Sequence, residues 1–164
     1  MEVLNHLIAP RLTAVMRLPD RPHSPLGALL LPQFERLGCV AGALPHHGPT
    51  GSAWSRAYVL GAACAALQQH GSLPISDHDC FATALHAFAL TYGETAAHGI
   101  LTATIAAAEA QEPEVEDGLL QGAVDLALVA SGDSGASLHF ALRLEEELTQ
   151  EAAPLPPQSA GAAI

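Results

Sequence analysis

Apolar residues recur along this chain at helical spacing, and Gly and Pro divide them into segments. Residues 2–18 have helical character interrupted by Pro10, which predicts a kink or two short pieces. The stretch Arg17 to Pro25 reads as a loop. Leu26 to Leu37 predicts a short helix disturbed by Pro32, and Gly38 to Ser52 reads as a second loop. From there the pattern strengthens. Ser52 is placed to cap a helix reaching about His70, with Gly71 as its stop. Its few polar positions predict a central location. Ser76 starts the next helix, Asp79 standing three residues on, beside the free amides. Phe81, Leu85, Phe88 and Ala89 form the stripe of that helix, and Gly93 ends it. Thr95 to Gln111 is the third, its Ala97–Ala108 stretch expected to be central, and Pro113 closes it. Glu114, Glu116 and Asp117 enrich the first turn of a fourth, which runs to about Ala130. SGDSG at 131–135 is a turn. Residues 136–151 alternate like a strand at Leu138, Phe140, Leu142 and Leu144, but the EEEL that follows and the helical neighbours favour a fifth helix. The expectation is an all-α protein: one helical domain over residues 1–152, with about five main helices and irregular N-terminal segments. A Pro- and Ala-rich tail, 153–164, is expected to be disordered.

Composition supports this reading. Of the 164 residues, 49% are apolar but only 4% aromatic, so the core must be made of Leu, Ala, Val and Ile. Ala and Leu favour helix, whereas a sheet would draw on more β-branched and aromatic residues. The Ala-rich faces permit close helix packing, so a homodimer is one expectation. The longest unbroken apolar run, Ala57 to Leu67, is far short of the roughly 20 residues that span a bilayer. The start, MEVLNHLIAP, lacks a basic region ahead of a long apolar stretch, so no signal peptide is expected. Cys39, Cys64 and Cys80 are odd in number, widely spaced and without a C-x-x-C. Buried, reduced thiols in a cytoplasmic protein are expected.

Charge narrows the partners. The net charge is -11, and every basic residue is Arg. Residues 94–151 carry twelve acids against Arg143 alone. A basic stripe able to meet phosphates is missing, which argues against nucleic acid and against an anionic membrane surface.

Three groups of residues could carry chemistry. TAAH at 95–98, VDLALV at 124–129 and GDSG at 132–135 look like the His, Asp and Ser words of trypsin-like proteases. Asp125 and Ser134 are too close in sequence to admit the second barrel of such an enzyme, and a triad is a geometry rather than a set of words. A small metal-dependent enzyme could use His78, Asp79, His86, Glu94 and His98, although the paired Glu-x-x-His motifs of di-iron bundles are missing. The third group is the loop His46-His47-Gly48-Pro49-Thr50-Gly51-Ser52. A Gly-rich loop opening a helix offers amides to an anion, Thr50 and Ser52 add hydroxyls, and Arg56 lies one turn inside. The P-loop form is missing. The leading expectation is a non-catalytic accessory or small-anion-binding protein without a cofactor. Its ligand would be a small carboxylate or phosphate, met by His46, His47, Gly48, Thr50, Ser52, Arg56 and Ser134.

HHGPTGSAWSRAYVLG at 46–61 and VDLALVASGDSGAS at 124–137 also resemble two motifs of a bacterial family. That family includes a subunit of the oxamate carbamoyltransferase of allantoin breakdown. Gly48, Pro49 and Gly61 match its first motif in register, and Ser134, Gly135 and Ala136 match its second. The family's T-P-S is replaced here by Ser52-Ala53-Trp54 and its acidic pair by Arg56-Ala57, and its G-H becomes Gly132-Asp133, shifted by one. The resemblance therefore implies a relative that has lost whatever catalysis the acidic pair carries.

Overall fold

A computed structural model describes residues 24–69, 76–133 and 135–152. Six α-helices are present among them: α1 (Pro25–Arg36), α2 (Ala53–Gln69), α3 (Asp77–Tyr92), α4 (Glu94–Glu109), α5 (Pro113–Ala130) and α6 (His139–Glu151). Short 3₁₀ turns at Pro49–Gly51 and Gly135–Leu138 lead into α2 and α6, and no strand forms among the described residues. The all-α expectation holds. The N-terminal segment 2–18, the Gly71 stop and the tail from Ala153 lie outside the described residues.

Local chemistry sets the helix ends. Ser24 caps α1, its Oγ accepting from the Gly27 amide at 3.1 Å, and Pro25 occupies the first position, where its missing N–H is harmless. Pro32 sits inside α1 without ending it. Ser52 caps α2 by accepting from the Ser55 amide at 3.1 Å. Ser76 does the same for Asp79 at 3.1 Å and donates to its Oδ2 at 2.6 Å. The Ser76 bonds hold the Asp79 carboxyl below its ordinary range. Gly93 ends α3 and opens α4 at φ 92°, where an L side chain is strained and a Cβ would press on the Gly42 carbonyl. The ambiguous C-terminal segment is helical from His139.

Packing is organised around α2, which is buried along most of its circumference. Gly118 and Gly122 of α5 lie against the carbonyls of Trp54 and Tyr58, and Gly61 of α2 against that of Leu119. Without Cβ atoms at these points, the two backbones come into direct contact. The Gly118–Trp54 and Gly122–Tyr58 pairings rise together along both helices, so α2 and α5 run in the same sense. Phe140 of α6 then closes over Trp54 and Tyr58, with ring centroids 6.0 and 4.9 Å away. Leu29, Leu30, Phe34, Leu101, Leu126 and Leu144 complete one continuous core.

Two expectations are corrected. The Ala-rich α4 is not central: only Ala97, Leu101 and Thr104 are buried, while Ala103 and Ala106 face outward. An Ala side chain removes little area from water, so an Ala-rich helix loses little by lying at the surface. The thiols are not all buried either, since Cys64 is exposed and Cys39 and Cys80 are half-buried; all three are free. Among the described residues, no helix is long and apolar enough to cross a membrane.

Candidate functional site

The loop ahead of α2 folds on its own hydroxyls. Thr50 Oγ1 donates to the Pro45 carbonyl at 2.7 Å, with the His47 carbonyl at 3.3 Å. Ser55 Oγ donates to the Pro49 carbonyl at 2.8 Å, and Ser52 Oγ is taken up by the cap and by Ser55 Oγ at 3.1 Å. Gly51 presses on the His46 backbone so closely that no Cβ fits. Gly48 turns the chain at φ 67°. Tyr92 Oη donates to the Thr50 carbonyl at 2.9 Å and ties the loop to the end of α3. Thr50 and Ser52 are therefore committed to shaping the loop rather than presented to a ligand.

His46, His47 and Arg56 remain available. Both imidazoles are exposed, edge to face at 5.4 Å between centroids. Arg56 is half-buried, and its Nε makes one long bond of 3.4 Å to the Ser52 carbonyl. It lies near enough to the Tyr92 phenol to favour the phenolate, although burial outweighs it and pushes that phenol up. Ser134 lies outside the described residues. Its neighbours Asp133 and Gly135 follow the C-terminal end of α5, whereas the 46–52 loop stands at the starts of α2 and α5. The 18 residues of α5 separate the two ends by roughly 27 Å. The two segments resembling the carbamoyltransferase-subunit motifs thus share a helix pair and meet where Tyr58 bonds Asp125, with the 46–52 loop at the start of that pair.

The five residues of the metal reading are dispersed. Asp79 serves the α3 cap, with the exposed His78 ring 3.8 Å from its carboxylate. His98 packs edgewise on Phe81 at 6.0 Å. His86 and Glu94 line a separate cleft. Among the described residues, no three His, Cys, Asp or Glu side chains are gathered to hold a metal ion.

The structure reveals a polar assembly that sequence reasoning did not assign. Asp125 of α5 is fully buried, yet its carboxylate is fully engaged. It accepts from Tyr58 Oη at 2.7 Å, from Gln121 Nε2 at 2.8 Å and from His139 Nδ1 at 2.8 Å. A carboxylate only accepts, so it selects the His139 tautomer protonated at Nδ1, or the imidazolium. The His139 side chain is 49% exposed, which leaves its ring accessible while Asp125 holds it. Behind this pair, Gln33 donates to Tyr58 Oη at 3.2 Å and accepts from the Ala141 amide at 3.0 Å, capping the first turn of α6 from another helix. Two turns nearer the start of α5, Asp117 accepts from Trp54 Nε1 at 2.7 Å and from Arg143 Nη1 at 3.2 Å. The Arg143 guanidinium lies 3.9 Å above the Trp54 ring. The only signal in the sequence was periodicity: Asp117, Gln121 and Asp125 recur every four residues on α5, as do His139, Arg143 and Glu147 on α6. Asp125 does not pair with His98, so the protease-like words do not assemble. No family model, curated protein or solved structure matches this chain.

Proposed function

We propose that this chain is a non-catalytic binding protein whose 46–56 loop takes a small carboxylate or phosphate, with His46, His47 and Arg56 supplying the positive charge. The observation carrying this reading is the state of Arg56. Arg36 is held by Glu145 through two bonds of 2.9 Å, and Arg143 by Asp117 and Glu147. Of the described arginines, Arg56 is the one without a carboxylate partner among the described residues, in a chain of net charge -11. A guanidinium with spare donors suits a planar or tetrahedral oxyanion, and the two exposed imidazoles belong to the same loop. Isothermal titration with inorganic phosphate and with malonate tests it. Saturable binding that Arg56→Gln weakens by roughly tenfold or more is expected, the usual effect of losing a charge-assisted bond. Heat signals that are absent, or unchanged by Arg56→Gln, would remove the proposal.

A second reading rests on Asp125 and His139. A buried carboxylate that orients a solvent-accessible imidazole is the arrangement used for general acid–base work. It would make the chain an enzyme that works by general acid–base chemistry. Its test is slow, pH-dependent hydrolysis of an activated ester that falls to background in both Asp125→Asn and His139→Gln.

A further inference from the structure

The α3–α4 corner contains a cleft of about 310 Å³, lined by Ala41, Gly42, His86, Ala89, Leu90, Gly93 and Glu94. That volume lies at the lower end for small-molecule sites. Its shape comes from backbone chemistry. The Gly42 amide donates to the Leu90 carbonyl at 2.6 Å, and the Leu44 amide to the Thr91 carbonyl at 3.0 Å, which bind the 41–44 turn along the last turn of α3. Gly42 and Gly93 both hold positive φ and pack directly against each other, so no side chain fills the corner. Two polar side chains, from different helices, line the walls. His86 is half-buried on α3, and Glu94 stands at the first position of α4. Glu94 is exposed, and neither side chain takes part in a side-chain hydrogen bond or ion pair among the described residues.

We infer that this cleft binds a small organic cation, a primary ammonium or a guanidinium, through the Glu94 carboxylate with His86 as a second polar contact. A carboxylate only accepts, so the ligand has to bring donors to Glu94. No Lys or Arg lines the cleft to compete with it. The net charge of -11 raises the local concentration of cations. The apolar lining from Ala41, Ala89 and Leu90 suits a short methylene chain attached to the cationic head. This site is separate from the anion-binding loop and of opposite charge preference, so either can fail alone.

The test is an NMR titration of the full chain with 1,4-diaminobutane and with agmatine, following the His86 imidazole signal against the other eight histidines. A saturable displacement of the His86 signal at low-millimolar ligand is expected, and Glu94→Gln should weaken it roughly tenfold. Ala89→Leu, which narrows the cleft without changing charge, should abolish it, with the thermal melt of each variant confirming that the fold is kept. Unsaturable shifts spread evenly over the histidines would show only general attraction to an acidic protein and would overturn the inference. Binding undiminished in Glu94→Gln, or no displacement of His86, would overturn it equally.

Discussion

Tyr58 and Tyr92 are the only tyrosines in the chain, and both phenols are buried, with 0% and 5% exposure. Burial pushes both phenols well above their ordinary range. For Tyr58 the neighbouring Asp125 adds to this, because deprotonation would leave two anions at the ends of a 2.7 Å contact. In the unfolded chain both ionise near pH 10. The sign follows directly. Above that pH the unfolded chain releases protons that the native chain keeps, so stability is intact below about pH 10 and declines as pH rises toward the native values. Each phenol contributes about 1.4 kcal/mol per pH unit in that range, or about 2.7 kcal/mol per unit for the pair. By pH 12 the loss reaches about 5 kcal/mol, comparable with the whole stability of many domains of this size. The assay follows tyrosinate absorbance and helical circular dichroism in one alkaline titration. Tyrosinate should stay absent while the helices persist, then appear together with their loss. Tyrosinate forming near pH 10 with the helical signal intact would refute the argument, because it would mean that at least one ring reaches water in the native state.

Three other substitutions test the packing. Gly122→Ala sets a methyl group against the Tyr58 carbonyl, which is backbone and unable to give way, so a loss of about 1–3 kcal/mol in chemical denaturation is expected. Gly99→Ala is the control: the site is exposed inside α4 with nothing within 4 Å, so a gain of about 0.5–1 kcal/mol is expected. Equal effects at the two sites would contradict the direct backbone contact between α2 and α5. His139→Ala removes one of three donors from a fully buried carboxylate, and the same assay should show a loss of about 1–2 kcal/mol, with Tyr58 and Gln121 still bonded to Asp125.

Several features were legible along the chain because their causes are local. Ser52 and Ser76 each accept an amide three residues ahead, and Gly93 and Pro113 interrupt helices by their own backbone limits. Those contacts form within one turn, so residue order alone announces them. The loop at 46–56 was legible in the same way, as a Gly-rich entry to a helix. The fate of the Thr50 hydroxyl was not, since the Pro45 carbonyl claims it only once the loop has closed.

Tertiary structure decided the rest. Tyr58 meets Asp125 across 67 residues, Trp54 meets Asp117 across 63, and Gln33 caps α6 from 108 residues away. The partner of a polar side chain depends on which helices share an interface, and here Gly61, Gly118 and Gly122 set that by admitting α5 directly onto α2. Local pattern shows which side chains a helix presents together; only the docking of one helix on another determines which buried polar groups find partners and which stay open to a ligand.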